Sequence, residues 1–163
     1  MPRTIAAVPL AQDRRPAGVD PRMRAMVDNV LLGSPVARAL GVRLASLAPD
    51  HVELEMPFLP TNVTHGSIVH GGVIATLIDI AGAAAAASGA NADEVKGGAT
   101  SSLSVQYLAA AQGVALRAVA EVVRRGRRQV VTEVAVYADS AGANQQDEPG
   151  MLVAKALMSS AMF

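Results

Sequence analysis

Hydrophobic spacing along the chain switches between two periods, and the switch points divide it into elements. In HVELEMPF, residues 51–58, Val52, Leu54 and Met56 alternate with His51, Glu53 and Glu55. That is the period-two pattern of a half-buried strand. VRLASL at 42–47 precedes it across Ala-Pro-Asp, so the two predict a strand pair. Earlier still, Asp20-Pro21 and Ser34-Pro35 each set a capping side chain ahead of a proline at the first helical position. They predict a helix running to Gly33 and a short helical turn ending at Gly41. Residues 59–71 read as a loop and 72–88 as a helix about 25 Å long, ended by Gly89 and Asn91. Four strand-like segments follow, at 98–108, 114–124, 128–139 and 151–161. In the first, Leu103, Val105 and Tyr107 alternate with Ser102, Ser104 and Gln106. RRGRR at 124–128 reads as a hairpin tip and 140–150 as a polar loop. The order predicts an α+β domain whose largely antiparallel sheet covers one central helix.

Composition narrows this picture. A chain of 163 residues is most simply one domain with a single core. We assign 20–163 to that domain and 1–19 to a mobile leader. The leader's IAAVPLA is too short, and too soon broken by Pro9, for a signal peptide. No uninterrupted apolar run reaches the ~20 residues needed to cross a bilayer, so a soluble protein is expected. Hydrophobic residues make up 51% of the chain but aromatics only 2%, so the core must come from aliphatic side chains and alanine. Small side chains bring backbones close, which predicts tight helix-on-sheet packing and a subunit interface; the run Ala81–Ala87 reads as packing. A net charge of zero argues against a nucleic-acid binder. The lack of cysteine excludes disulfides and thiolate chemistry and fits a cytosolic protein.

The candidate chemistry lies in NVTHGSIVHGGVIATLIDIAG, residues 62–82. Between Val73 and Ala87 the only polar side chains are Thr76 and Asp79. A helix apolar all round is buried on most sides, by its own sheet and by a neighbour. A buried carboxylate without a partner costs several kcal/mol or is driven to its neutral form. Asp79 therefore either meets an Arg or Lys, faces solvent near a helix end, or belongs to a site. At the helix start, His70-Gly71-Gly72 offers free N–H groups, the positive dipole end and room for close approach, which suits an oxyanion. Gly71 and Asp79 are eight positions apart, about 12 Å along the helix. Both cannot reach one reacting group from a single helix, whereas two copies packed antiparallel about a two-fold axis would form two composite sites.

These residues resemble the hotdog-fold acyl-CoA thioesterases, especially the phenylacetate-degradation type within the 4-hydroxybenzoyl-CoA thioesterase superfamily. The resemblance spans roughly residues 34–161. It is carried by SPVARALGVRL, HGGVIATLID, SLSVQYLAAA, VVRRGRRQVV and MLVAKALMS. It implies an antiparallel sheet of about six strands wrapped around one long helix, dimers joined into dimers of dimers, and hydrolysis of an acyl-CoA. No further cofactor is implied, since CoA is part of the substrate. Asp79 matches the family's carboxylate, acting as nucleophile or as general base on water. The Gly71 N–H matches its oxyanion donor, His70 the support of that loop, and Thr100 a hydroxyl that helps hold the attacking water. Related members carry Asn six positions before the His; here that place is Thr64, and Asn62 stands eight before. Arg124, Arg125, Arg127 and Arg128 fall near the CoA phosphates.

His51, His65 and His70 do not make a metal triad, because His51 lies on a separate strand and no carboxylate is spaced to join them. No G-x-S-x-G is present, which argues against an α/β-hydrolase. Two rivals remain: a hotdog-type enoyl-thioester hydratase or dehydratase, and a non-catalytic acyl-CoA-binding protein.

Overall fold

Asp20 and Ser34 cap the first two helices as their sequence signals require. In the computed structural model, which describes residues 17–139 and 150–163, Asp20 accepts from the Arg22 N–H at 2.8 Å ahead of α1 (Pro21–Met26). Ser34 accepts from the Ala37 N–H ahead of α2 (Pro35–Leu40), and Gly41 closes that helix in the left-handed region, φ 68°. Arg22 also binds Asp93, and this cation holds the Asp20 and Asp93 carboxyls below the ordinary carboxylate range. One expectation needs correction: α1 does not run unbroken to Gly33. It widens into a π-helical turn over Val27–Leu31, with Leu32 N–H reaching back five residues to Val27 O at 2.9 Å. Residues 1–16 of the expected leader and 140–149 of the expected loop lie outside the described residues.

Six strands form one fully antiparallel sheet: β1 (Arg43–Ala48), β2 (His51–Met56), β5 (Gly98–Tyr107), β6 (Leu116–Arg125), β7 (Gln129–Ala138) and β8 (Met151–Met162). Their spatial order is β1-β2-β6-β7-β8-β5. The alternation read from sequence holds, since Val52, Leu54 and Met56 are buried while His51, Glu53 and Glu55 turn away from the core. Gly126-Arg127-Arg128 connects β6 to β7, as expected of RRGRR. The loop at 59–71 holds more structure than its polar composition suggests. A 3₁₀ turn at Pro60–Asn62 leads into a small hairpin of β3 (Val63–His65) and β4 (Ile68–Val69).

The sheet wraps α3 (Gly71–Ser88), which packs chiefly on β2, β6 and β7. Leu77 and Ile78 are fully buried, each contributing ~1.5–3 kcal/mol of transfer free energy. Ala81 and Ala84–Ala87 are buried too, and their small size lets the strands close on the helix. At Gly82 the approach is tightest: a Cβ there would lie 2.7 Å from Met158 Sδ. By length and composition α3 alone among the described helices would span a membrane, but it is the core helix and 61% of it is buried within the fold. The domain is thus α+β with the hotdog arrangement.

One stripe of α3 is left uncovered. Gly72, Thr76, Asp79 and Ala83, at positions i, i+4, i+7 and i+11, are exposed or half-buried. The stripe lies on the side of β5, a sheet edge whose residues Gly98–Ser102 are all exposed.

Candidate active site

Asp79 is half-buried, not sunk in the core as its apolar neighbours suggested, and it has a partner. Thr100 Oγ1 on β5 donates to Asp79 Oδ1 at 2.6 Å. Among the described residues no Lys or Arg pairs with it. A bulge brings this pair together. Thr100 is opposite Ser160 and Ser102 opposite Ser159, so Ser101 is an extra residue in β5. It bonds away to Ser159 O at 3.0 Å and shifts Thr100 onto the helix-facing side with Leu103. Met158 Sδ lies 4.0 Å behind the Thr100 hydroxyl.

Eight residues earlier, His70 caps α3. Its Nδ1 accepts from the Gly72 N–H at 2.9 Å, so the neutral ring carries its proton on Nε2. The Gly71 N–H has no acceptor among the described residues. It is a free donor at the positive end of an 18-residue helix. Asn62 belongs to the same neighbourhood: its carbonyl accepts the His70 N–H at 2.8 Å, and its buried side-chain amide nitrogen has no partner. Tyr107, which sequence reading treated only as an inward strand position, donates its hydroxyl to Gly71 O at 2.8 Å. Its register with Leu103 and Val105 was the available signal.

Two half-sites result. Asp79 with Thr100, and Gly71 with His70, Asn62 and Tyr107, lie at different heights on one helix, about 12 Å apart by helical rise. A single chain does not bring them together.

The arginines sit at the other end of α3. Arg127 and Arg128, with Gly89, Asn91, Glu94 and Phe163, line an open cavity of about 950 Å³. Arg125 also borders it, but its guanidinium is drawn inward to Asp50 at 2.5 Å and to the Ala86 carbonyl at 2.8 Å. Arg124 is exposed. The histidines stay apart: His51 lies between Glu53 and Glu121 on the outer sheet face, 3.3 Å from each, while His65 ends β3.

Comparison with known proteins gives this arrangement a family. Residues 66–143 match the sequence profile of the thioesterase superfamily. A Halobacterium salinarum protein carrying a provisional esterase name is 38% identical over 109 residues, covering 64% of this chain and 72% of its own. The crystal structure of a thioesterase family protein from Silicibacter pomeroyi superposes with TM-score 0.77 at 28% identity, over 86% of this chain and 98% of that one. A hypothetical thioesterase from Streptococcus pneumoniae, solved with coenzyme A, shares the fold at 22% identity and TM-score 0.62, over 75% of this chain and 85% of that one. The carboxylate, the free N–H and the wrapped helix therefore stand in a chain that belongs to the thioesterase superfamily, a family of thioester hydrolases.

Proposed function

We propose that the protein hydrolyses acyl-CoA thioesters as a homodimer, itself paired into a dimer of dimers, with each active site shared between two chains. The observation that carries this reading is the uncovered stripe of α3, which presents the Asp79–Thr100 pair and leaves the Gly71 N–H of the same helix unused. A second α3 laid antiparallel on that stripe sets the partner's Gly71 N–H over Asp79. Asp79 attacks the thioester carbonyl or takes a proton from a water held by Thr100. The N–H and helix dipole meet the oxyanion as it forms. A thiolate leaves readily, so the reaction needs no strong general acid. His70 and Asn62 hold the donor loop in place.

The CoA part fits the other end of the helix. Gly89 lies ten residues beyond Asp79, about 15 Å along the axis. A pantetheine arm, comparable to four or five extended residues, spans about 13–18 Å. Arg127 and Arg128 there offer charge to the phosphates, flanked by Arg124. Arg125, grouped with them by sequence, lines the same wall while holding the helix end. The coenzyme A bound to the Streptococcus pneumoniae protein supports this substrate class at the level of the fold. The HGG motif and its neighbours resemble the phenylacetate-degradation type, so aryl-CoAs head the panel of substrates to screen. CoA thioesters are intracellular metabolites, and we assign the protein to the cytoplasm.

Gly71→Pro tests the shared site cleanly. Gly71 is the first helical residue, where proline is tolerated and only the N–H is lost. Gly71→Pro and Asp79→Asn should each abolish thiol release from acyl-CoAs. Co-refolded together, they should recover about a quarter of the parent rate, because half the dimers then carry one intact site. Two folded, inactive variants that restore nothing on mixing would overturn the shared site. Enoyl-CoA hydration without thiol release by the parent would replace the hydrolase reading with a hydratase.

A further inference from the structure

Tyr107 closes β5, and the reaction outlined above makes no use of it. Its hydroxyl donates to Gly71 O at 2.8 Å, and its ring carbons lie 3.4 and 3.5 Å from where a Gly71 Cβ would stand. With 53% of its surface exposed, the ring is not a core filler. The Gly71 carbonyl belongs to the same peptide group as the Gly72 N–H, which donates to His70 Nδ1 at 2.9 Å. A carbonyl that accepts a hydrogen bond polarises its peptide and strengthens the bond made by the N–H on the other side. The Tyr107 hydroxyl, the 71–72 peptide and the His70 ring thus form one chain around Gly71. Two consecutive glycines would otherwise leave this backbone free to turn. The same strand that supplies Thr100 to Asp79 therefore also grips the oxyanion donor.

We infer that Tyr107 is a positioning residue for the reaction: its hydroxyl locks the peptide that follows Gly71 and so sets the direction of the Gly71 N–H. The inference rests on the hydrolase reading. Tyr107→Phe removes the hydroxyl and keeps the ring. It should lower kcat for thiol release about ten-fold, equivalent to ~1.4 kcal/mol, with KM within two-fold of the parent. Amide hydrogen exchange at Gly72, followed by NMR, should rise several-fold while the thermal midpoint stays in place. Parent-like kcat, unchanged exchange at Gly72, or a loss confined to KM would each overturn the inference. A parent that releases no thiol from any thioester sinks the hydrolase reading instead, and the exchange rates still decide whether Tyr107 holds the loop.

Discussion

Ser101 is one residue too many for a regular ladder, and that surplus turns Thr100 toward Asp79. Counted back from Leu103 by strict alternation, Thr100 falls on the outer face with Ser102. Only the family resemblance singled it out; the period-two pattern points the other way. Asp79 was legible as an exception in an apolar helix, but its degree of burial was not. The apolar neighbours mark the helix as central without revealing which stripe its own sheet leaves bare. Thr100→Val keeps the shape and loses the hydroxyl, so kcat for thiol release should fall about ten-fold, the scale of one hydrogen bond to a charged group. Thr100→Ser should stay within about three-fold of the parent. Equal rates for all three proteins would remove Thr100 from the mechanism.

Four arginines that look alike in RRGRR separate once the strand register is known. Arg125 is opposite Val130, a fully buried position, and so faces α3; Arg124 is opposite Val131 and faces out. Arg125 takes up carbonyls that the end of α3 leaves unsatisfied, and Asp50 neutralises it. Asp50 sits in a tight turn at φ 64° with its N–H on Ser88 Oγ. Arg125→Met strands a mostly buried carboxylate and should lower stability by ~2–3 kcal/mol, read from the urea midpoint. Arg127→Ala and Arg128→Ala touch only the open cavity and should leave stability within ~0.5 kcal/mol. They should instead raise KM for acyl-CoA in a salt-dependent manner. A Tm fall in those two, with KM unchanged, would move the phosphate site elsewhere. Helix starts, by contrast, were fully legible, because Asp-Pro and Ser-Pro carry their cap and first turn within two residues. The β3–β4 hairpin was not, since two- and three-residue strands are too short to show a period.

At the scale of the molecule, the sheet leaves β1 and β5 as edges. Of the usual edge guards β5, GATSSLSVQY, has the bulge at Ser101 but no charged residue and no proline. Beside it runs the bare stripe of α3, so one side of the domain offers both unpaired backbone and small side chains. Thr76→Glu places a charge in the middle of that stripe. It should yield a folded monomer by light scattering that releases no thiol; a monomer with parent turnover would refute the shared site. Alanine content and the ~12 Å spacing raise the expectation of an interface, but which edge stays open depends on strand order, a long-range property no local pattern encodes.

Strand order has a consequence for how the chain is made. β5 borders β8 alone, and β8 is the last of the described strands to leave the ribosome. At ~5–20 residues per second, α3 emerges roughly 4–15 s before β8 is complete. Within that interval β6 and β7 join β2 as the main cover of α3, while the strand carrying Thr100 and Tyr107 has no neighbour in the sheet. The β5–β8 ladder is a long-range contact that must wait for β8. β8 is therefore the strand that ties β5, with its Thr100 and Tyr107 hydroxyls, into the sheet.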